Sequence, residues 1–127
     1  MLSARRLAAF TSVLLLYAAT MHAADAVDEI QGLIQGLGSS GCEFERNGTW
    51  YDAARAQEHL QTKYEWLRKH DKVATPEQFI ERAATESSMT GKPYHVRCKG
   101  QPVEASSAWF SRLLQHLRAD EPSRTTR

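Results

Sequence analysis

The chain has 127 residues, with 16 Lys and Arg against 15 Asp and Glu, 42% apolar residues and two cysteines. At this length a single domain is expected, and a mean hydropathy of −0.51 with 24% charged residues describes an ordinary soluble chain and neither a polytopic membrane protein nor a chain that is disordered throughout. A net charge of +1 excludes a partner held by bulk charge, nucleic acid above all.

The first element predicted is an export signal. Arg5 and Arg6 precede an apolar run from Leu7 to Ala19, broken only by Thr11 and Ser12. A membrane span needs about 20 such residues, so this run is short for one. A basic start, a short apolar stretch and small residues beyond it describe a secretory signal peptide over residues 1–24, with cleavage between 23 and 26. An uncleaved anchor is the alternative. Every acid follows this segment, so removing it leaves 14 basic against 15 acidic residues.

Residues 25–119 form the expected domain, and 120–127 a flexible polar tail. Val27, Ile30, Leu33, Ile34 and Leu37 recur at helical spacing, with Asp25 as N-cap. Gly38-Ser39-Ser40-Gly41 ends that helix. Residues 42–46 alternate, with Cys42, Phe44 and Arg46 on one face and Glu43 and Glu45 on the other. Asn47-Gly48 then predicts a tight turn into a strand at 49–51. Asn47-Gly48-Thr49 also spells a glycosylation sequon, but the turn accounts for the asparagine by itself. Asp52 caps a second helix from Ala53 to about Lys69, with Ala53, Ala56, Leu60, Tyr64 and Leu67 as its apolar stripe. Thr75-Pro76-Glu77-Gln78 is a capping box opening a third helix that ends near Ser88. Tyr94, Val96 and Cys98 alternate with His95 and Arg97 in a third strand, 94–98. Ser106 or Ser107 caps a last helix with Trp109, Phe110, Leu113, Leu114 and Leu117 inward. The expected fold is α+β, about four helices packed on a small antiparallel sheet made of hairpin 42–51 and strand 94–98.

Export into an oxidising compartment favours a disulfide between Cys42 and Cys98, with two unpaired thiols as the alternative. Without a Cys-x-x-Cys, a thioredoxin-like role has no support. The histidines lack metal-ligand spacing, so neither a metal nor a cofactor is expected.

The residues Ser40-Gly41-Cys42-x-Phe44-x-Arg46-Asn47-Gly48, Tyr51, His59-Leu60, Lys63-Tyr64, Phe79-Ile80, Ala83, Ser87-Ser88 and Gly91-x-Pro93-Tyr94-x-Val96-x-Cys98 form a specific pattern. In it the chain resembles the YfeK-like family of small exported bacterial proteins, a domain of unknown function. The resemblance covers residues 26–118 and implies a Gram-negative periplasmic location and a compact domain, with no activity to carry over. Thr90 stands where the pattern has serine, a change of one methyl group.

Turns, core and bridge account for most of these positions. Arg46, His59, Lys63, Ser87, Ser88 and Tyr94 are left over. His59 and Lys63 lie four apart on one helix and share a face. With Arg46 they suit a carboxylate or phosphate, and Ser87, Ser88 and the Tyr94 hydroxyl could orient it. A purely structural network is the competing explanation. Thr90-Gly91-Lys92-Pro93-Tyr94 is a stiffened loop suited to recognition. It is similar to the Ser-Gly-x-x-Tyr loop of periplasmic lysozyme inhibitors. The reading favoured is a periplasmic, non-enzymatic module binding a protein or a small anionic ligand, free of any membrane anchor after cleavage. Inhibition of a periplasmic cell-wall hydrolase is one alternative. A small hydrolase using Ser87 or Ser88 with His59 is another, although neither serine has a Gly-x-Ser-x-Gly elbow and no acid is placed to orient His59.

Overall fold

A computed structural model describes residues 23–121. Residues 1–22 of the expected signal peptide and 122–127 of the expected tail lie outside the described residues. Among the described residues four helices pack with one antiparallel sheet: α1 (Ala23–Gly38), α2 (Ala53–Lys69), α3 (Pro76–Phe79), which runs on as a π-helical turn (Ile80–Ala84), and α4 (Ser106–Ala119). The strands are β1 (Glu43–Arg46), β2 (Thr49–Tyr51), β3 (His95–Arg97) and β4 (Glu104–Ala105), in spatial order β2-β1-β3-β4.

The hairpin forms where the turn chemistry requires it. Asn47 and Gly48 both take positive φ, 52° and 82°, and Arg46 pairs with Thr49 across the turn. The period-2 pattern then sends Phe44 and Val96, directly opposed in the ladder, into the core. Leu33, Ile34 and Leu37 of α1, Leu60 and Tyr64 of α2, Phe79 of α3 and Phe110 of α4 cover them. Each such side chain contributes about 1.5–3 kcal/mol of burial free energy. Cys42 and Cys98 sit one step beyond the Glu43–Arg97 pair and are joined by a disulfide. Arg118 of α4 holds Glu29 of α1 and Glu77 of α3, each at 2.7 Å, and links the three helices.

Three expectations are corrected. Asp25 is not an N-cap, because α1 begins at Ala23 and places it in the first turn. The third helix does not reach Ser88. Thr85 Oγ1 donates to Ile80 O in the wider π turn, the Tyr94 amide donates to Thr85 O, and Glu86 pairs with Pro93. The chain beyond Ala84 is therefore committed to strand-like partners and cannot continue the helical ladder. Neither Ser106 nor Ser107 caps α4. Ala105 holds that position as the end of β4, a strand the alternation did not predict, and the buried Ser106 amide donates to Tyr94 O.

Candidate functional site

The turn end of β1, one side of α2 and the 85–94 segment meet at a cleft. Arg46 belongs to the inward face of β1 but lies at its last position, past the cover of the core, so its guanidinium overhangs the edge. On α2 the buried stripe is Ala56, Leu60, Tyr64 and Leu67. His59, Lys63 and Trp66 flank that stripe at i, i+4 and i+7 and so line one side of the helix. Tyr94 follows Thr85 and Glu86 into the sheet. Its ring is buried, 4.9 Å from that of Phe44, and its hydroxyl points back towards α2.

These groups touch. Arg46 Nη1 lies 3.0 Å from His59 Nδ1. His59 Nε2 lies 3.4 Å from the Tyr94 hydroxyl. Lys63 Nζ donates to the same hydroxyl at 3.3 Å and to Glu86 O at 2.9 Å, and it stands 4.9 Å from the Tyr94 ring centroid. Arg46 has no acceptor atom, so it must be the donor to Nδ1. The ring proton of His59 then resides on Nε2 and is offered to Tyr94. The phenol, accepting from both sides, keeps its own proton to donate.

The electrostatics follow from this crowding. Burial, then Arg46, then Lys63 push His59 down to about 4. Burial and Arg46 lower Lys63 to about 8, with Glu86 opposing them. Burial raises the Tyr94 phenol, and Arg46 offsets part of the rise. Arg46 also lies 5.3 Å from the Tyr51 ring centroid and, by hydrogen bonding, lowers that phenol.

Two hollows share this wall. One of about 300 Å³ is lined by Arg46, Asn47, His59, Thr62, Lys63, Trp66, Ser87, Ser88, Met89 and Tyr94. The other, about 280 Å³, lies across the Arg46–His59 pair and is lined also by Phe44, Tyr51, Arg55, Ala56 and Glu58. The first contains two cations and no carboxylate.

The predicted residues divide into two groups. Arg46, His59, Lys63 and Tyr94 converge. Ser87 is buried, and its Oγ accepts from Asn47 Nδ2 and from the Met89 and Thr90 amides, each at 3.3 Å. Thr90 Oγ1 donates to Asn47 Oδ1 at 2.6 Å. Gly91, at φ +71°, turns the loop back so that its amide reaches Ser87 O. These residues anchor the loop to the hairpin turn. Ser88 lines the cleft from an exposed position, and Lys92 is exposed on the loop. Loop 90–94 therefore displays Lys92 but not the Tyr94 ring, which is 2% exposed. A serine nucleophile needs a base at its hydroxyl; the imidazole here faces Arg46 and Tyr94.

Asn47, Thr62, Trp66 and Met89 complete the site without having been singled out as site residues from sequence. Trp66 was readable as the third member of the His59/Lys63 face. From sequence the turn by itself explains Asn47, whereas its side-chain bonds reach 40 and more residues along the chain.

Residues 24–118 match the family described as "Family of unknown function (DUF5329)". Among curated proteins, the chain is similar to "Uncharacterized protein YfeK" of Salmonella typhimurium strain LT2, with 43% identity over 51 residues. The similarity spans 40% of this chain and 41% of that protein, about two-fifths of each. No solved structure matches.

Proposed function

The chain belongs to the DUF5329 family, whose function is unknown, and within it we propose a non-enzymatic periplasmic module that binds a small anionic ligand between Arg46, Lys63 and the Tyr94 hydroxyl. The supporting observation is that Arg46 and Lys63 line one cleft with no carboxylate in its lining, Lys63 on the Tyr94 hydroxyl directly and Arg46 one imidazole away through His59. Among the described residues no carboxylate stands within ion-pair distance of the half-buried Lys63 ammonium, Glu86 acting on it only from further off, and an incoming oxyanion supplies a close partner. His59 holds Arg46 in place and, staying neutral, adds no repulsion among the cations. The secretory pattern of residues 1–24 supports periplasmic placement, and the disulfide suits an oxidising compartment.

Calorimetric titration of the oxidised protein with acetate and with inorganic phosphate tests this. Saturable binding is expected in the parent, weakened at least about tenfold in an Arg46→Gln/Lys63→Gln variant that keeps its thermal midpoint. Equal binding by parent and variant, or no binding of any anion, overturns the proposal.

A further inference from the structure

The walls above the cations are apolar. Among the described residues, three large hydrophobic side chains stand exposed: Trp66 at 51%, Met89 at 95% and Val103 at 51%. Scattered single residues of this kind need no explanation. Two of these three, however, line the same cleft as Lys63 and Tyr94, although one comes from α2 and the other from the 85–94 segment. The Trp66 indole is also held in place. It stacks on His70 at 4.1 Å and 22°, and the Lys72 ammonium lies 5.7 Å from its centroid. A fixed ring forms a contact surface with little further loss of freedom on binding. Met89 opposite is flexible and adapts to shape.

We infer that the ligand is a small amphipathic carboxylate, its head held by Lys63, Arg46 and the Tyr94 hydroxyl and its aliphatic or aromatic body lying between Trp66 and Met89. This rests on the anion-site reading and adds the body to it. Lys63 keeps one N–H beyond those given to Tyr94 and Glu86, Tyr94 keeps its hydroxyl proton, and Arg46 has N–H groups beyond the one facing His59; all three residues line the cleft, and donors of this kind suit the acceptor positions of one carboxylate. The hollow of about 300 Å³ lies at the lower end of small-molecule sites, which restricts the body to a short chain or a single ring.

The test is Trp fluorescence and calorimetry on the oxidised protein with octanoate, 3-phenylpropanoate, acetate, inorganic phosphate and octanol. Octanoate or 3-phenylpropanoate is expected to bind at least about tenfold more tightly than acetate or phosphate, since apolar area leaves water. Octanol should bind far more weakly than octanoate. In Trp66→Ala/Met89→Ser the advantage over acetate should shrink to within about threefold while acetate affinity persists, and Trp66→Phe should restore most of it. Acetate or phosphate binding as tightly as the longer acids overturns the apolar body and leaves the anion site standing. Octanol matching octanoate overturns the carboxylate head. No binding by any probe overturns both proposals.

Discussion

Arg46 Nη1 faces His59 Nδ1 at 3.0 Å, a permanent donor set against an imidazole nitrogen. That contact requires a lone pair on Nδ1, so the neutral Nε2–H tautomer is the one the fold accommodates. Protonation would set N–H against N–H beside a fixed charge. Nitrogen-detected NMR should show His59 as the Nε2–H tautomer, titrating near pH 4. In Arg46→Gln the midpoint should climb towards 6.5, part of the way only, because burial is the larger cause. A parent imidazole titrating near 6.5 would mean that the pair is open in solution.

Lys63 should give pH dependences of opposite sign for stability and for binding. Its folded-state value is about 8, against 10.5 for a free ammonium. Below pH 8 both folded and unfolded chains hold the proton. Between 8 and 10.5 the unfolded chain binds more protons, so this group makes stability rise with pH. Over the same range the cleft loses a cation, so anion affinity should fall severalfold between pH 7 and 9.5. Lys63→Met should flatten both slopes. Urea titrations and anion affinities at the two pH values read them separately. A parent affinity unchanged at pH 9.5 would remove Lys63 from the site.

The fold was legible wherever local chemistry and periodicity agree. Asn47-Gly48 placed the hairpin, Asp52 placed the start of α2, and its side chain accepts the Arg55 amide at 2.8 Å. The alternation of Tyr94, Val96 and Cys98 marked β3, and the expected Cys42–Cys98 bridge set it beside β1. What escaped was set by partners far along the chain. Thr85 and Glu86 leave the helical ladder because Pro93 and Tyr94 return to them, and no pattern within residues 75–88 encodes that. Strand β4 has two residues, too few for an alternation to register. At the site, His59 and Lys63 were legible from their spacing of four. The contact of both with Tyr94 was not, since it depends on how α2 packs across the sheet.

Ser87 separates a structural role from a catalytic one. Its Oγ is the acceptor for two loop amides and for Asn47. Ser87→Ala should cost about 1–3 kcal/mol by leaving those donors without a partner. Amide exchange over residues 87–92 should quicken in the variant, because the loop loses its tie to the hairpin turn. Asn47→Gly keeps the positive-φ turn but removes both side-chain links, and it should loosen the same segment. Chemical denaturation with hydrogen exchange measures both effects. A Ser87→Ala protein of unchanged stability that has lost turnover of ester probes would instead establish the serine as a nucleophile.

The disulfide acts on the domain more than on the site. Cys42 and Cys98 join β1 and β3 with Cα atoms 4.3 Å apart and a sequence separation of 56. The loop so closed holds the hairpin, α2, α3 and the 85–94 segment, which together supply every residue of the cleft. Closing a loop of that length removes unfolded-state entropy worth about 4 kcal/mol. For a domain of this size that corresponds to a fall in thermal midpoint of about 15–30 °C in Cys42→Ala/Cys98→Ala. Arg46 stands at the opposite end of β1 from the bridge, and the Phe44–Val96 and Glu45–His95 pairs lie between them. Those pairs persist without the bridge, so below its lowered midpoint the variant should bind anions with the parent's affinity. Calorimetric titration at low temperature, set beside a melting curve, measures the two properties independently. Affinity lost together with the midpoint would mean that the bridge, and not the ladder, holds β1 and β3 in the register that brings Arg46 to His59.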